Sequence, residues 1–252
     1  MKINFGKSNI VLNSILTPDS IIKVSLTHSI PVNSTDLISF VENAEVFLFE
    51  NSILVDTLKY TSNGNYISNR KPKTKSIYTT LVKVNSDTTL IATDTVPEQI
   101  PIDSLKLLRK NNSNYTIRFV ATDISNENNY FILKVLQIND TVNYTVSIPN
   151  CSFFSEISAY ELFDKSILID DFYFSGKQKA VDFICYAPEA IKIKVELLSI
   201  SRALYYYYLT ATQNFYANQG VDFSRVPVFS NVNNKMGILG AYSLANDSIL
   251  IK

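Results

Sequence analysis

Residues able to do chemistry are few in this chain. Its one histidine, His28, stands in LTHSIPV (Leu26–Val32), at the end of an expected strand. No second histidine joins it. Cys151 and Cys185, the two cysteines, match neither a zinc nor a redox spacing, so no metal centre is expected. Asp170 and Asp171, in ILIDDFYF, form the nearest approach to a carboxylate pair. Neighbours on a strand face opposite sides, so these two could serve one substrate only from a turn. A turn carrying Asp-Asp can contribute oxygen ligands to calcium, or it can simply be a polar connection between strands. A hydrolase would need two carboxyl groups about 5–10 Å apart in a groove. The chain has no Gly-x-Ser-x-Gly elbow, no phosphate-binding loop and no dinucleotide fingerprint, and only six glycines. A protein that is not an enzyme and takes no cofactor is the expectation.

A different pattern is dense. Seven of the fourteen aspartates precede Ser or Thr and then Ile, Leu, Val or Thr. The hydroxyl residues are Ser20, Thr57, Thr88, Thr95, Ser104, Thr141 and Ser248. This composition would give about one such triplet by chance. Asp-Ser/Thr before an aliphatic residue is ordinary turn-to-strand chemistry, which accounts for part of the excess.

Whatever positions these residues must be built from strands. Of 252 residues, 46% are hydrophobic and 18% charged, enough apolar material for a packed core. Lys+Arg and Asp+Glu both total 23, and that neutrality argues against a nucleic-acid partner. The longest basic cluster, Arg70, Lys71, Lys73 and Lys75 around Pro72, reads as a solvated hairpin loop. No apolar run reaches the ~18 residues of a membrane helix. The opening MKINFGKSN lacks a signal peptide's apolar stretch, so the protein is either cytosolic or a chain whose signal has been removed. Cys151 and Cys185 are either a disulfide or two buried thiols.

Short β-branched or aromatic runs, such as Ile10–Leu16, Ile21–Leu26, Glu45–Glu50, Ser52–Tyr60, Tyr78–Val84 and Thr88–Thr93, predict an N-terminal immunoglobulin-like β-sandwich. Asn63-Gly64-Asn65 is a turn, with Tyr66 capping the sandwich edge. Two prolines in TVPEQIPIDSL (Thr95–Leu105) mark the domain boundary. The division is 1–97 for the sandwich and 98–252 for a second antiparallel β domain, whose strands include Asn114–Thr122, Asn129–Gln137, Val142–Ile148, Ser166–Phe174, Lys179–Tyr186 and Ala190–Ser199. The overall class is mainly β.

One helix is expected, over 201–218, with Ser201 as N-cap and Gly220 closing it. Leu204, Tyr208, Ala211 and Phe215 would form its apolar stripe. Tyr205, Tyr206, Tyr207, Tyr216 and Phe223 are the candidate ligand contacts. Aromatic rings with hydroxyl edges suit sugars, peptides or a protein partner, although packing on a sheet explains any one of them.

The order of motifs along the chain resembles a family of Bacteroidetes outer-membrane lipoproteins known as a domain of unknown function. The residues concerned are Ile10–Val32, VENAEVFLFEN followed by NGNYIS (Val41–Asn51, Asn63–Ser68), VPEQIPIDSL, the tyrosine-rich helix, and VPVFSNV followed by MGILGAYS (Val226–Val232, Met236–Ser243). That resemblance implies an outer-membrane or cell-surface address, with the periplasm as alternative, and a lipid anchor attached outside this sequence. It implies a TonB-dependent outer-membrane receptor as partner and an accessory or ligand-binding role in transport, with an unknown small-molecule ligand. The Asp-Ser/Thr triplets resemble the O-glycosylation sequon of exported proteins in the same bacterial group. The competing reading is a structural or adhesive surface protein using β-sandwich domains as spacers. The resemblance carries over no catalytic residue.

Overall fold

Residues 9–30, 38–85, 88–123, 129–139, 146–147, 150–153, 159–162, 164–170, 176–188, 190–219 and 224–251 are described by the computed structural model, with backbone alone for those within 140–160. The protein is mainly β, and it divides into two units. The first comprises Met1–Pro97 and Val226–Tyr242; the second comprises Glu98–Arg225 and Ser243–Lys252. The prolines of TVPEQIPIDSL thus mark the first crossing. The segment Val226–Tyr242, which the sequence reading assigns to the second domain, belongs to the first. The second unit is inserted between two strands of the first.

In the first unit the strands are β1 (Ile10–Leu16), β2 (Lys23–His28), β3 (Ala44–Glu50), β4 (Ile53–Tyr60), β5 (Asn65–Ile67), β6 (Ile77–Val84) and β7 (Thr88–Thr95). They run in the order β1-β2-β5-β4-β3-β6-β7. β4 serves both layers of this sandwich: its start pairs with β3 and its last two residues with β5. The opening half of the final strand, β17 (Gly237–Leu250), lies parallel to β1, with Leu12 opposite Gly237 and Leu16 opposite Ala241. Burial alternates along the strands, as the two-residue side-chain period demands. Leu12, Val24, Leu26, Val46, Leu48, Val82 and Leu90 point inward and are almost fully covered.

Gly64 and Gly237 sit where chain meets chain. A Cβ on Gly64 would stand 2.2 Å from the Leu26 carbonyl oxygen, and one on Gly237 would stand 1.9 Å from that of Leu12. Both have positive φ, which glycine adopts without strain. Tyr66 is not an edge cap. It is 1% exposed, and its hydroxyl donates to the Val41 carbonyl and accepts from the Ala44 N–H. The turn expected over Asn63-Gly64-Asn65 ends at Gly64, and Asn65 begins the short strand β5, which pairs with both β2 and β4.

The second unit has a sheet of order β12 (Asn150–Phe153), β15 (Gln178–Tyr186), β9 (Asn114–Thr122) and β8 (Ile102–Asn111). Its other strands are β10 (Tyr130–Ile138), β11 (Val146–Ser147), β13 (Ala159–Glu161), β14 (Ile167–Ile169) and β16 (Lys192–Ile200), ordered β13-β14-β10-β16, with β11 beside β10 and the later half of β17 beside β16. Ile117, Phe119, Val181 and Phe183 from one sheet share a core with Phe131, Leu133, Val195 and Leu197 from the other. The helix α1 (Arg202–Asn218) follows β16 directly.

Candidate binding surface

Helix α1 carries most of the residues singled out as ligand contacts. Ser201 is in extended conformation, and its Oγ accepts from the Leu204 N–H at 3.2 Å, so one orphan donor of the first turn is satisfied. The C-terminal end closes on Gln219, whose N–H reaches the Tyr216 carbonyl at 3.0 Å. Gly220, Phe223 and Asp171 lie outside the described residues. The expected stripe is only partly realised. Leu204, Tyr205 and Thr212 are the buried positions, while Phe215 is exposed. The packed face is therefore rotated toward Tyr205.

Tyr205 is 6% exposed and stacks on Tyr130 of β10, centroids 4.3 Å apart. Tyr206 meets Tyr205 edge-on at 5.4 Å and is half-buried, with the Arg202 guanidinium 5.5 Å from its ring centre. Tyr207 and Tyr216 are also half-buried; Tyr207 meets Tyr208 edge-on, and Tyr216 meets Phe215 edge-on. One of the four described candidates is thus a core ring, and three present part of their surface. Arg202 is the helix's only charged residue, so its outer face is aromatic, hydroxylated and nearly neutral. Near its C-terminal end, the Glu161 carboxylate holds the Lys165 ammonium at 2.5 Å and raises its pKa, with a smaller contribution from Tyr216.

Among the described residues no group of three His, Cys, Asp or Glu side chains gathers as a metal site. His28 is half-buried in β2, its backbone N–H on the Ser39 carbonyl. Asp170 directly follows β14, and Asp171 lies outside the described residues, so the carboxylate pair is not described together. Asp123 is a buried carboxylate that the sequence reading passed over. It accepts from Asn129 Nδ2 at 3.0 Å and from the Gly176 N–H at 2.8 Å, which makes it a tie between two loops. The first unit has an open groove of about 470 Å³ along β1, β2 and β5, lined by Asn13, Ile15, Ile21, Lys23, Ser25 and Ile67 among others. The basic loop is spread by pairing: Lys73 meets Glu50 at 3.0 Å, and Lys71 donates to the Asp19 carbonyl.

The hydroxyls of the Asp-Ser/Thr triplets lie at the surface. Ser20, Thr57, Thr95 and Ser248 are exposed, and Thr88 and Ser104 are partly so; Thr141 lies outside the described residues. Ser20 is in a turn, Thr88 and Thr95 are the ends of β7, and Ser104 adjoins a bulge in β8. Thr57 is the exception to the expectation of turns and strand ends, because it stands mid-strand on an outward face. A shared local geometry was not legible in the sequence. In three triplets the Asp carboxylate accepts from the N–H of the next residue: Asp56 to Thr57, Asp94 to Thr95 and Asp247 to Ser248, at 2.8, 2.9 and 2.7 Å.

Cys185 is buried in β15 and disulfide-bonded. The backbone sets Cys151 of β12 directly opposite it in register, and the chain has no other cysteine.

None of the curated proteins matches the chain. Among solved structures, the β-glucuronidase of Parabacteroides merdae is 8% identical over 77% of this chain and 24% of its own, with a TM-score of 0.24. The Fcho1 Mu homology domain of Danio rerio, solved with a bound Eps15 peptide, is 8% identical over 94% of this chain and 92% of its own, with a TM-score of 0.29. A chitinase of Bacillus thuringiensis is 12% identical over 75% of this chain and 28% of its own, with a TM-score of 0.23. The chain spans about a quarter of the length of the two glycosidases. At these scores none of the three defines this fold or its activity. One family profile, by contrast, matches residues 2–248. The chain belongs to that family, described as a domain of unknown function (DUF4249).

Proposed function

We propose that this protein is a non-enzymatic cell-envelope lipoprotein, an accessory or ligand-binding component of a TonB-dependent outer-membrane transport system. The observation that carries the reading is the bonded Cys185 with Cys151 opposite it. Disulfides persist in oxidising compartments and are rare in the cytosol of mesophiles, which favours export. The motifs that resemble outer-membrane lipoproteins favour the same address. The outward hydroxyls of Ser20, Thr57, Thr88, Thr95, Ser104 and Ser248 are the O-glycosylation sites of this reading, with Thr141 as the seventh. An enzyme reaches an exposed hydroxyl, and a glycan there also shields sheet edges. The half-exposed rings of Tyr206, Tyr207 and Tyr216, with Tyr205 as their anchor, form the proposed contact surface, and Phe223, outside the described residues, is the fifth candidate. Aromatic side chains with few freely rotating bonds lose little entropy on binding, and they dominate interface energetics. Co-purification from native outer membranes tests the reading. A TonB-dependent receptor in the eluate supports it, and recovery of the protein solely in the cytosolic fraction sinks it.

A further inference from the structure

β7 stands at the end of the first unit's strand order, with β6 as its sheet neighbour. An edge strand presents alternate backbone groups as a template for another strand. On β7 those groups belong to Thr89, Ile91 and Thr93, and four of them, the three carbonyls and the Ile91 N–H, are already occupied, though not by a strand. The Asn233 N–H donates to the Ile91 carbonyl at 3.0 Å, and the Ile91 N–H donates back to Asn233 Oδ1 at 3.1 Å. Asn233 Nδ2 reaches the Thr89 carbonyl at 3.1 Å, and Asn231 Nδ2 reaches that of Thr93 at 3.0 Å. Three of these four bonds use a side-chain amide, which carries the same donor and acceptor as a peptide group.

The segment is itself well held. Asn231 also exchanges two bonds with Leu239 of β17, at 2.8 and 3.0 Å. Asn234 Nδ2 reaches the Ile10 carbonyl, and its Oδ1 accepts from the Met236 N–H. Between them Val232 is 0% exposed in the core.

We propose that Asn231 and Asn233 form an edge guard: they occupy the pairing groups of β7 and so keep it from adding β7 of a second copy of this chain. The strand suits self-pairing once bared. Thr88–Thr95 (TTLIATDT) has no proline and a single charge, Asp94. Its outward groups centre on Ile91, so two antiparallel copies would set Ile91, 40% exposed, opposite itself, and Asp94 opposite Thr88 with no like charges facing.

The test is light scattering behind size exclusion, over a concentration series, for the unmodified protein and the Asn231→Ala/Asn233→Ala variant. The expected result is a concentration-dependent doubling of mass in the variant. Adding Thr93→Pro should reverse it, because proline removes an outward N–H and leaves the Thr80–Ala92 and Val82–Leu90 pairs with β6 in place. A folded variant with the mass of the unmodified protein at every concentration overturns the proposal. So does a mass increase that Thr93→Pro leaves unchanged, since association would then use another surface. Should circular dichroism show the double variant unfolded, Asn233→Ala alone, which keeps the Asn231 ties, is read by the same two criteria.

Discussion

Tyr66 and Thr80 show how the same core treats two hydroxyls. Both are buried in the first unit, and Tyr66 satisfies the Val41 carbonyl and the Ala44 N–H while the Thr80 hydroxyl has no hydrogen-bond partner among the described residues. Removing the first hydroxyl strands two backbone groups; removing the second strands none. Tyr66→Phe is therefore expected to destabilise the protein by about 1–3 kcal/mol. Thr80→Val should stabilise it by up to about 1 kcal/mol, since valine has nearly the same shape, a high strand preference and no polar group to bury. Urea titration of both variants checks the opposite signs. At this scale the sequence was legible in part. Gly64 and Tyr66 stood out as a turn and a partner, but a tyrosine's place inside or at the rim depends on where β2 and β3 run, and no local pattern carries that. Asn231, Asn233 and Asn234 lacked even that signal. Their amides act on strands more than a hundred residues away, and nothing local in SNVNN points to those strands.

Helix α1 is the element whose cap was most readable, and Ser201 fills the N-cap. Ser201→Ala is expected to cost about 1 kcal/mol, seen as a lower thermal midpoint. Its inward face was misjudged because aromatic residues stand at six of its seventeen positions or beside them, so hydrophobic spacing alone selects no single stripe. Tertiary packing chose Tyr205, through its stack on Tyr130, and left Phe215 outside. The central strands were readable for the opposite reason. Strict alternation in β9 and β16 matches burial on one face, and Asn114–Thr122 was read to the residue. The discontinuity of the first unit could not be read. A strand of the sandwich that follows a whole second unit leaves no mark in composition, and only its parallel register with β1 reveals where it belongs.

Two properties belong to the molecule as a whole. The first is its response to acid. The Arg118 guanidinium, donating twice to Asp182 at 2.6 Å, holds that carboxylate below its ordinary pKa. Glu50 is lowered chiefly by its hydrogen bond from Lys73, against some opposing burial. At Asp164 burial pushes upward, but hydrogen bonds from Ser166 and the charge of Lys134 outweigh it and leave the pKa lowered. Each group contributes stability that is present above the unfolded value of about 4 and lost as pH falls through the folded value. The thermal midpoint should therefore fall between pH 6 and pH 3. Asp182→Asn should flatten that fall only slightly, because the pair is partly exposed and screened. The second property is the crosslink at Cys185. Closing the loop from Cys151 to Cys185 is worth roughly 3–4 kcal/mol in the chain-entropy estimate. Cys185→Ser should lower the midpoint of the non-reduced protein and remove its sensitivity to thiol reductants.

The proposed address and partner are tested most directly by isolating the protein from its native cell envelope in mild detergent, then measuring its intact mass and the proteins that elute with it. The account predicts outer-membrane recovery with a TonB-dependent receptor, and a mass above that of polypeptide plus lipid, the excess removed when Thr57, Thr95 and Ser248 are replaced by alanine together with the remaining triplet hydroxyls. A protein found only in the cytosol, with the bare polypeptide mass and no receptor beside it, would contradict it.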